Sequence, residues 1–317
     1  MSLKKLMSIL CMLAISLFVF TSCEDDEVPP IDVPENITVR PVGELAAGQT
    51  GNLEITIMWE KSLDADSAWF KGYEITMPEV GYDPITVAKG LTTWKVTELD
   101  PNTTYTFNVV AVGVNPSDNQ EVRSTVKTIK WACATHFTKN ENEANIYVYC
   151  KESTDFGSGL QFYGPNKAPR TRKVANGTDW NIAVGSKTNL IIGSASSVAS
   201  PAPTGVGYNL TGTPDNYLIT SPIDYDTDVL TDFLLYRDLS TLNYNNTSIN
   251  LTTNSIATQA NRGIIFFAKG NGHYARIVVL KNANGGYLHA GTSNNPYVHL
   301  LVSYQTRSDV PYAKPTN

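Results

Sequence analysis

Ile264-Ile265-Phe266-Phe267-Ala268-Lys269-Gly270-Asn271-Gly272-His273-Tyr274-Ala275-Arg276-Ile277-Val278-Val279-Leu280 decides the fold. Asn-Gly between two apolar runs is the strongest short hairpin signal, because both residues tolerate positive φ. Neither arm alternates cleanly. Ile264 to Phe267 is apolar throughout, and so is Ile277 to Leu280. Strands with apolar side chains on both parities are covered on both faces. The expectation is a central hairpin with layers above and below it.

Outward from that hairpin, the 317-residue chain has room for two domains and for a sizeable core. Turn-forming residues separate short apolar runs and long helical periods are absent, so the fold class is all-β. The formal net charge is −6. A chain of this sign has no basic footprint for nucleic acid.

Met1 to Phe20 has Lys4 and Lys5 ahead of an apolar core from Leu6 to Phe20. That core is short for a membrane span and reads as a signal segment. Phe20-Thr21-Ser22-Cys23 follows. It resembles the lipobox of bacterial lipoproteins, with Phe20 in place of the usual Leu. The resemblance implies cleavage after residue 22 and lipid on Cys23; ordinary secretion with a structural Cys23 is the alternative. Glu24-Asp25-Asp26-Glu27 is a solvated acidic run. It also resembles the signal that sends lipoproteins of the Bacteroidetes to the outer surface of the outer membrane. Val28 to Pro34, with three prolines, continues as a stiff spacer. The expected organisation is a signal peptide over 1–22, a lipidated tether over 23–33, a first domain over 34–130 and a second over 131–317.

In the first domain, Leu53, Ile55, Ile57 and Trp59 alternate with Glu54, Thr56, Met58 and Glu60 as in a half-buried strand. Leu99-Asp100-Pro101-Asn102-Thr103-Thr104-Tyr105-Thr106-Phe107-Asn108-Val109-Val110-Ala111 has the Leu-x-Pro-x-Thr-x-Tyr-x-Phe-x-Val-x-Ala spacing of the sixth strand of fibronectin type III domains. Residues 34–130 resemble that family. The resemblance implies a sandwich in which the Tyr105 hydroxyl bonds back to the chain near Leu99. Trp69 and Phe70, beside Asp64 and Asp66, either stack on a sugar or pack at the rim of the sheet. Asp66-Ser67-Ala68 resembles a short O-glycosylation motif.

The second domain reads as strands at 146–149, 160–163, 180–184, 190–192, 233–236 and 298–304, with a small-residue loop from Gly193 to Ser197. Three stretches resemble the HmuY-type haem-binding lipoproteins of the Bacteroidetes: Asp179-Trp180-Asn181-Ile182-Ala183, the hairpin from Gly263 to Leu280, and Tyr297 to Gln305. The resemblance implies a large antiparallel β domain that clamps haem between loops through two axial side chains, His or Met. Here Asp238 stands where that family has an axial His. No His lies between Lys139 and Phe267, and no Met follows Met77. Tyrosine also binds ferric haem. Tyr236 and Tyr244 are therefore the candidate cofactor ligands, with tyrosines that only pack as the alternative.

Cys133 and Cys150 flank the first of these strands. In an exported chain they pair as a disulfide or stay as buried thiols. Asp224, Asp226 and Asp228 have calcium-loop spacing, but Val229 and Leu235 occupy the sixth and twelfth places. Catalytic motifs, metal clusters and phosphate loops are absent. The expected function is non-catalytic binding at the cell surface, of a tetrapyrrole on the HmuY-like scaffold. The alternative is recognition of a glycan or host protein without a cofactor.

Overall fold

The structure, a computed structural model, describes residues 30–41, 53–81, 83–153, 155–173, 179–201, 205–208, 215, 217–224, 238–253, 263–291 and 295–313. It is all-β, with antiparallel sheets and one short α-helix among the described residues.

The N-terminal module is a two-sheet sandwich. One sheet orders β1 (Glu35–Pro41), β2 (Leu53–Glu60) and β5 (Thr93–Leu99). The other orders β4 (Ile85–Ala88), β3 (Phe70–Thr76), β6 (Tyr105–Val114) and β7 (Glu121–Arg123), with β8 (Lys127–Trp131) also on β6. Alternation builds the core directly: Ile55, Ile57 and Trp59 of β2 face Tyr73 and Ile75 of β3 and Phe107 and Val109 of β6. The Tyr105 hydroxyl accepts the Asp100 amide at 2.8 Å, the corner expected from the sequence.

Residues outside the expected bounds of 34–130 join this core. Ile31, assigned to the tether, is buried in this core, and the Ser62 hydroxyl donates to the Asp32 carbonyl. Trp131, assigned to the second domain, ends β8 and is fully buried in the same core. Cys23 and the leader lie outside the described residues.

The C-terminal module is a larger sandwich. Its main sheet orders β10 (Ile146–Tyr149), β20 (Tyr297–Tyr304), β19 (His273–Leu280), β18 (Gly263–Gly270) and β15 (Leu218–Ile219). The short β9 (Thr135–Phe137) joins β20 and β16 (Ile223–Asp224) joins β18. Gly270 pairs with His273 around Asn271 and Gly272, whose φ angles of 51° and 77° make the expected left-handed turn. The hairpin is central, and both its faces are covered. Ile264, Phe266, Ile277 and Val279 face the inter-sheet core, while Ile265, Phe267, Tyr274 and Val278 face a second apolar layer with Leu239 and Ala313.

The second sheet orders β12 (Arg170–Arg172), β11 (Gly159–Gln161), β13 (Ile182–Val184), β14 (Ile191–Ser194) and β17 (Ser248–Asn250). The expected loop from Gly193 to Ser197 is instead the end of strand β14 followed by α1 (Ala195–Ala199). Ala195, Val198 and Ala199 bury against Trp180, so packing overrides the turn-like composition. Gly159 makes room for Trp180, since a Cβ there would meet the indole at 2.9 Å. The expected strand at 233–236 lies outside the described residues.

The modules are joined twice. After β20 the chain turns back, and Val310 and Tyr312 are buried in the N-terminal core. The fully buried Gln305 donates from Nε2 to the carbonyls of Ala132, at 3.0 Å, and Tyr312, at 2.9 Å.

Candidate functional site

The outer face of the main sheet is divided. Over β18 and β19 it is closed by Leu239, Leu242, Tyr244 and Ala313. Over β10 and the N-terminal half of β20 it presents aromatic rings. Strand alternation causes this: Ile146 and Val148 of β10, with Val298 and Leu300 of β20, point into the core, so Tyr147, Tyr149, Tyr297 and His299 point out. Cross-strand pairing sets Tyr147 opposite His299 and Tyr149 opposite Tyr297.

The rings form one cluster. Tyr147 stacks on Tyr297 with centroids 4.0 Å apart, and His289 stacks on Tyr297 at 5.2 Å. His299 meets Tyr147 edge-on at 5.1 Å. Phe156 lies on Tyr149 at 4.3 Å, the planes 16° apart. Tyr149, Tyr297 and His299 are half-buried, and Phe156 is 42 % exposed.

Burial keeps His299, Tyr297 and Tyr149 uncharged near neutral pH. Desolvation, with the neighbouring His289, lowers the His299 pKa to about 4. Desolvation and the bonded Tyr147 push the Tyr297 hydroxyl up to about 12, and desolvation also raises Tyr149. Amides edge the cluster: the Asn145 side chain donates to the Tyr147 hydroxyl at 2.9 Å, and Asn295 anchors the loop carrying Phe156. The chemistry on offer is apolar contact with ring faces and edges, plus neutral hydrogen bonding.

A second concavity of about 350 Å³ lies where β17 and the β15–β16 segment splay apart, lined by Thr220, Ser221, Thr247, Ser248, Asn250 and Thr253. Two of its polar side chains are engaged by neighbouring backbone. The Thr220 hydroxyl donates to the Ser221 carbonyl and accepts the Phe267 amide, and the Asn250 oxygen accepts the amides of Thr252 and Thr253.

The residues singled out from the sequence are scattered. Tyr244 sits under the covered half of the sheet, where its hydroxyl donates to the Leu239 carbonyl at 2.9 Å and burial raises its pKa. Tyr236 lies outside the described residues. Asp238 caps the 3-10 turn Leu239–Thr241, accepting the Ser240 amide at 2.8 Å. Of the calcium-spaced aspartates, only Asp224 is described, at the end of β16.

Cys133 and Cys150 are not joined in a disulfide. They belong to different cores, Cys133 against the N-terminal one and Cys150 inside the C-terminal one, where burial pushes its thiol up to about 12. Trp69 covers Gly113, where a Cβ would meet the indole at 2.8 Å, and Phe70 is core, so this pair packs the rim. His273 stacks on Tyr304 beneath the hairpin turn. Only His289 and His299 join the aromatic cluster. The sequence signal for the cluster is alternation: Tyr147 and Tyr149 on β10, and Tyr297 and His299 on β20, recur at every second position of their strands. Among the described residues, no three His, Cys, Asp or Glu side chains converge as a metal site would require.

No curated protein matches the chain. Residues 34–124 match the family model for the fibronectin type III domain. With the two-sheet sandwich and the Tyr105 corner in place, the N-terminal module is a fibronectin type III domain.

Proposed function

We propose that this chain is a lipoprotein, acylated at Cys23 and displayed on the outer surface of the outer membrane, whose C-terminal β domain recognises a ligand without transforming it. The leader, the Cys23 context and the acidic run after it support the address. A fibronectin type III domain suits the role of spacer, lifting the larger module from the membrane. The observation that carries the binding role is the divided sheet face: apolar cover over β18 and β19, and six partly exposed rings over β10 and β20.

Two measurements test this. An impermeant reagent should label the protein on intact cells, and Cys23→Ser should release it from the membrane fraction; protection of the wild type would contradict the address. The mature chain from residue 24, applied to arrays of glycans and host proteins, should bind, and Tyr149→Ala should weaken that binding about tenfold. Binding indifferent to Tyr149 would move the site elsewhere.

The HmuY-like resemblance of residues 179–183, 263–280 and 297–305 favours a second reading, haem capture. Its candidate ligands are Tyr236 and Tyr244, and Tyr244 would first have to give up its bond to Leu239. A saturable Soret shift at about micromolar haemin, lost in Tyr236→Phe or Tyr244→Phe, is the expected sign. Non-saturating haemin uptake would remove this reading.

A further inference from the structure

Phe156 stands out on the open face. At 42 % exposed, it is among the largest apolar side chains that the fold leaves in water. Yet its position is firmly built. One ring face lies on Tyr149, with planes 16° apart. Its amide donates to the Ser153 hydroxyl at 3.1 Å, and that hydroxyl donates to the Asn295 side-chain oxygen at 2.8 Å. Asn295 is itself buried, and its Nδ2 donates to Asp155 Oδ2 at 3.4 Å. The flanks are pinned as well: the Tyr149 amide donates to the Gly157 carbonyl and the Cys150 amide to the Pro296 carbonyl.

A hydrogen-bonded loop anchored on the buried Asn295 that keeps an aromatic ring partly in solvent works against burial of apolar surface, and preorganisation for a ligand accounts for it. We infer that the Phe156–Tyr149 pair, with Asp155 and Asn295 beside it, is the stacking subsite for one ring of a neutral glycan. This inference rests on the recognition role proposed above and names the ligand class.

The chemistry selects the class. A pyranose offers a C–H-rich face to a flat ring and hydroxyl donors around its edge. Asp155 is exposed on the loop, and a carboxylate accepts such hydroxyls in charge-assisted bonds. The same carboxylate disfavours uronates and sulfated sugars. Lys151, at the start of the same loop, donates to the carbonyls of Val206 and Gly207.

Affinity electrophoresis of the mature chain tests the assignment, with a galactomannan, a xyloglucan, a mixed-linkage β-glucan and a mannan as neutral probes and heparin and chondroitin sulfate as acidic ones. At least one neutral polymer should retard the protein and the acidic polymers should not. Phe156→Ala should weaken retardation about tenfold, Phe156→Tyr should keep it within about threefold, and Asp155→Asn should weaken it with the fold intact by thermal melting. No retardation by any neutral polymer would overturn the inference, as would equal retardation of Phe156→Ala or stronger retardation by heparin. If the neutral polymers fail while the arrays return a protein ligand sensitive to Tyr149→Ala, the recognition role stands and the sugar assignment falls. Failure of both removes the two together.

Discussion

The Tyr105 hydroxyl ties the start of β6 to the turn after β5 through a single bond to the Asp100 amide. Tyr105→Phe keeps the ring and leaves that amide to find water. The expected cost is about 1 kcal/mol, a fall in Tm of roughly 2–4 °C, read by calorimetry. Two histidines set the acid limb. Desolvation, with the Arg276 charge adding to it, lowers His136 to about 4, and desolvation with His289 does the same to His299. Both values lie below the 6.5 of an ordinary histidine, so the unfolded chain takes up protons first. Stability is whole above pH 6.5 and is lost progressively as the pH falls toward 4. Urea titrations at pH 7, 5.5 and 4.5 should show that decline, and His136→Phe or His299→Phe should flatten it. An equal decline in both variants would place the proton uptake on other groups.

At the scale of elements, the β18–β19 hairpin carries the C-terminal module, because its two faces feed two apolar layers. Phe266 is fully buried between the sheets, and Phe266→Ala should cost about 3–5 kcal/mol in urea unfolding. Gly272 at φ 77° should tolerate Ala less severely, at about 1 kcal/mol, since the strain is confined to the turn. A smaller effect at Phe266 than at Gly272 would mean that the turn, rather than the core, limits stability. This hairpin was legible in the sequence because its signal is local: turn residues and apolar parity lie within one short run. The Tyr105 corner was legible for the same reason. The aromatic face was not. Ser153 and Asn295, which fix Phe156, are 142 residues apart, and the stack of Tyr147 on Tyr297 and the tilted contact of Tyr149 with Tyr297 exist only once β10 has paired with β20. The helix α1 was missed because its stability lies in burial against Trp180, which the composition of Ala195 to Ala199 does not reveal.

At the scale of the molecule, the chain reads as two domains in series, but its last segment makes them interdependent. Gln305 reaches Ala132 across 173 residues, a closure that no local pattern announces. Beyond it the Arg307 guanidinium donates to the Asn102 carbonyl, and the Asp309 amide donates to the Gly272 carbonyl at 2.7 Å. Val310 and Tyr312 then complete the fibronectin type III core. The strap therefore fixes the aromatic face relative to the N-terminal module. Tyr312→Ala should destabilise the N-terminal module by about 3–5 kcal/mol, an effect on one domain from a residue at the far end of the chain. Removing residues 306–317 should split calorimetric unfolding into two transitions, the fibronectin type III domain melting first and the C-terminal sandwich, which loses Ala313 from its outer apolar layer and the Leu239 bond to Pro311, melting later but below its original temperature. Its β20 pairing ends at Tyr304, before the cut. A synthetic peptide of residues 305–317, added in excess, should raise the lower transition again, because a segment that binds only the folded module stabilises it by mass action. A truncated chain that still unfolds in one unchanged transition would show the modules to be coupled by their direct connection alone, with the strap as a passenger.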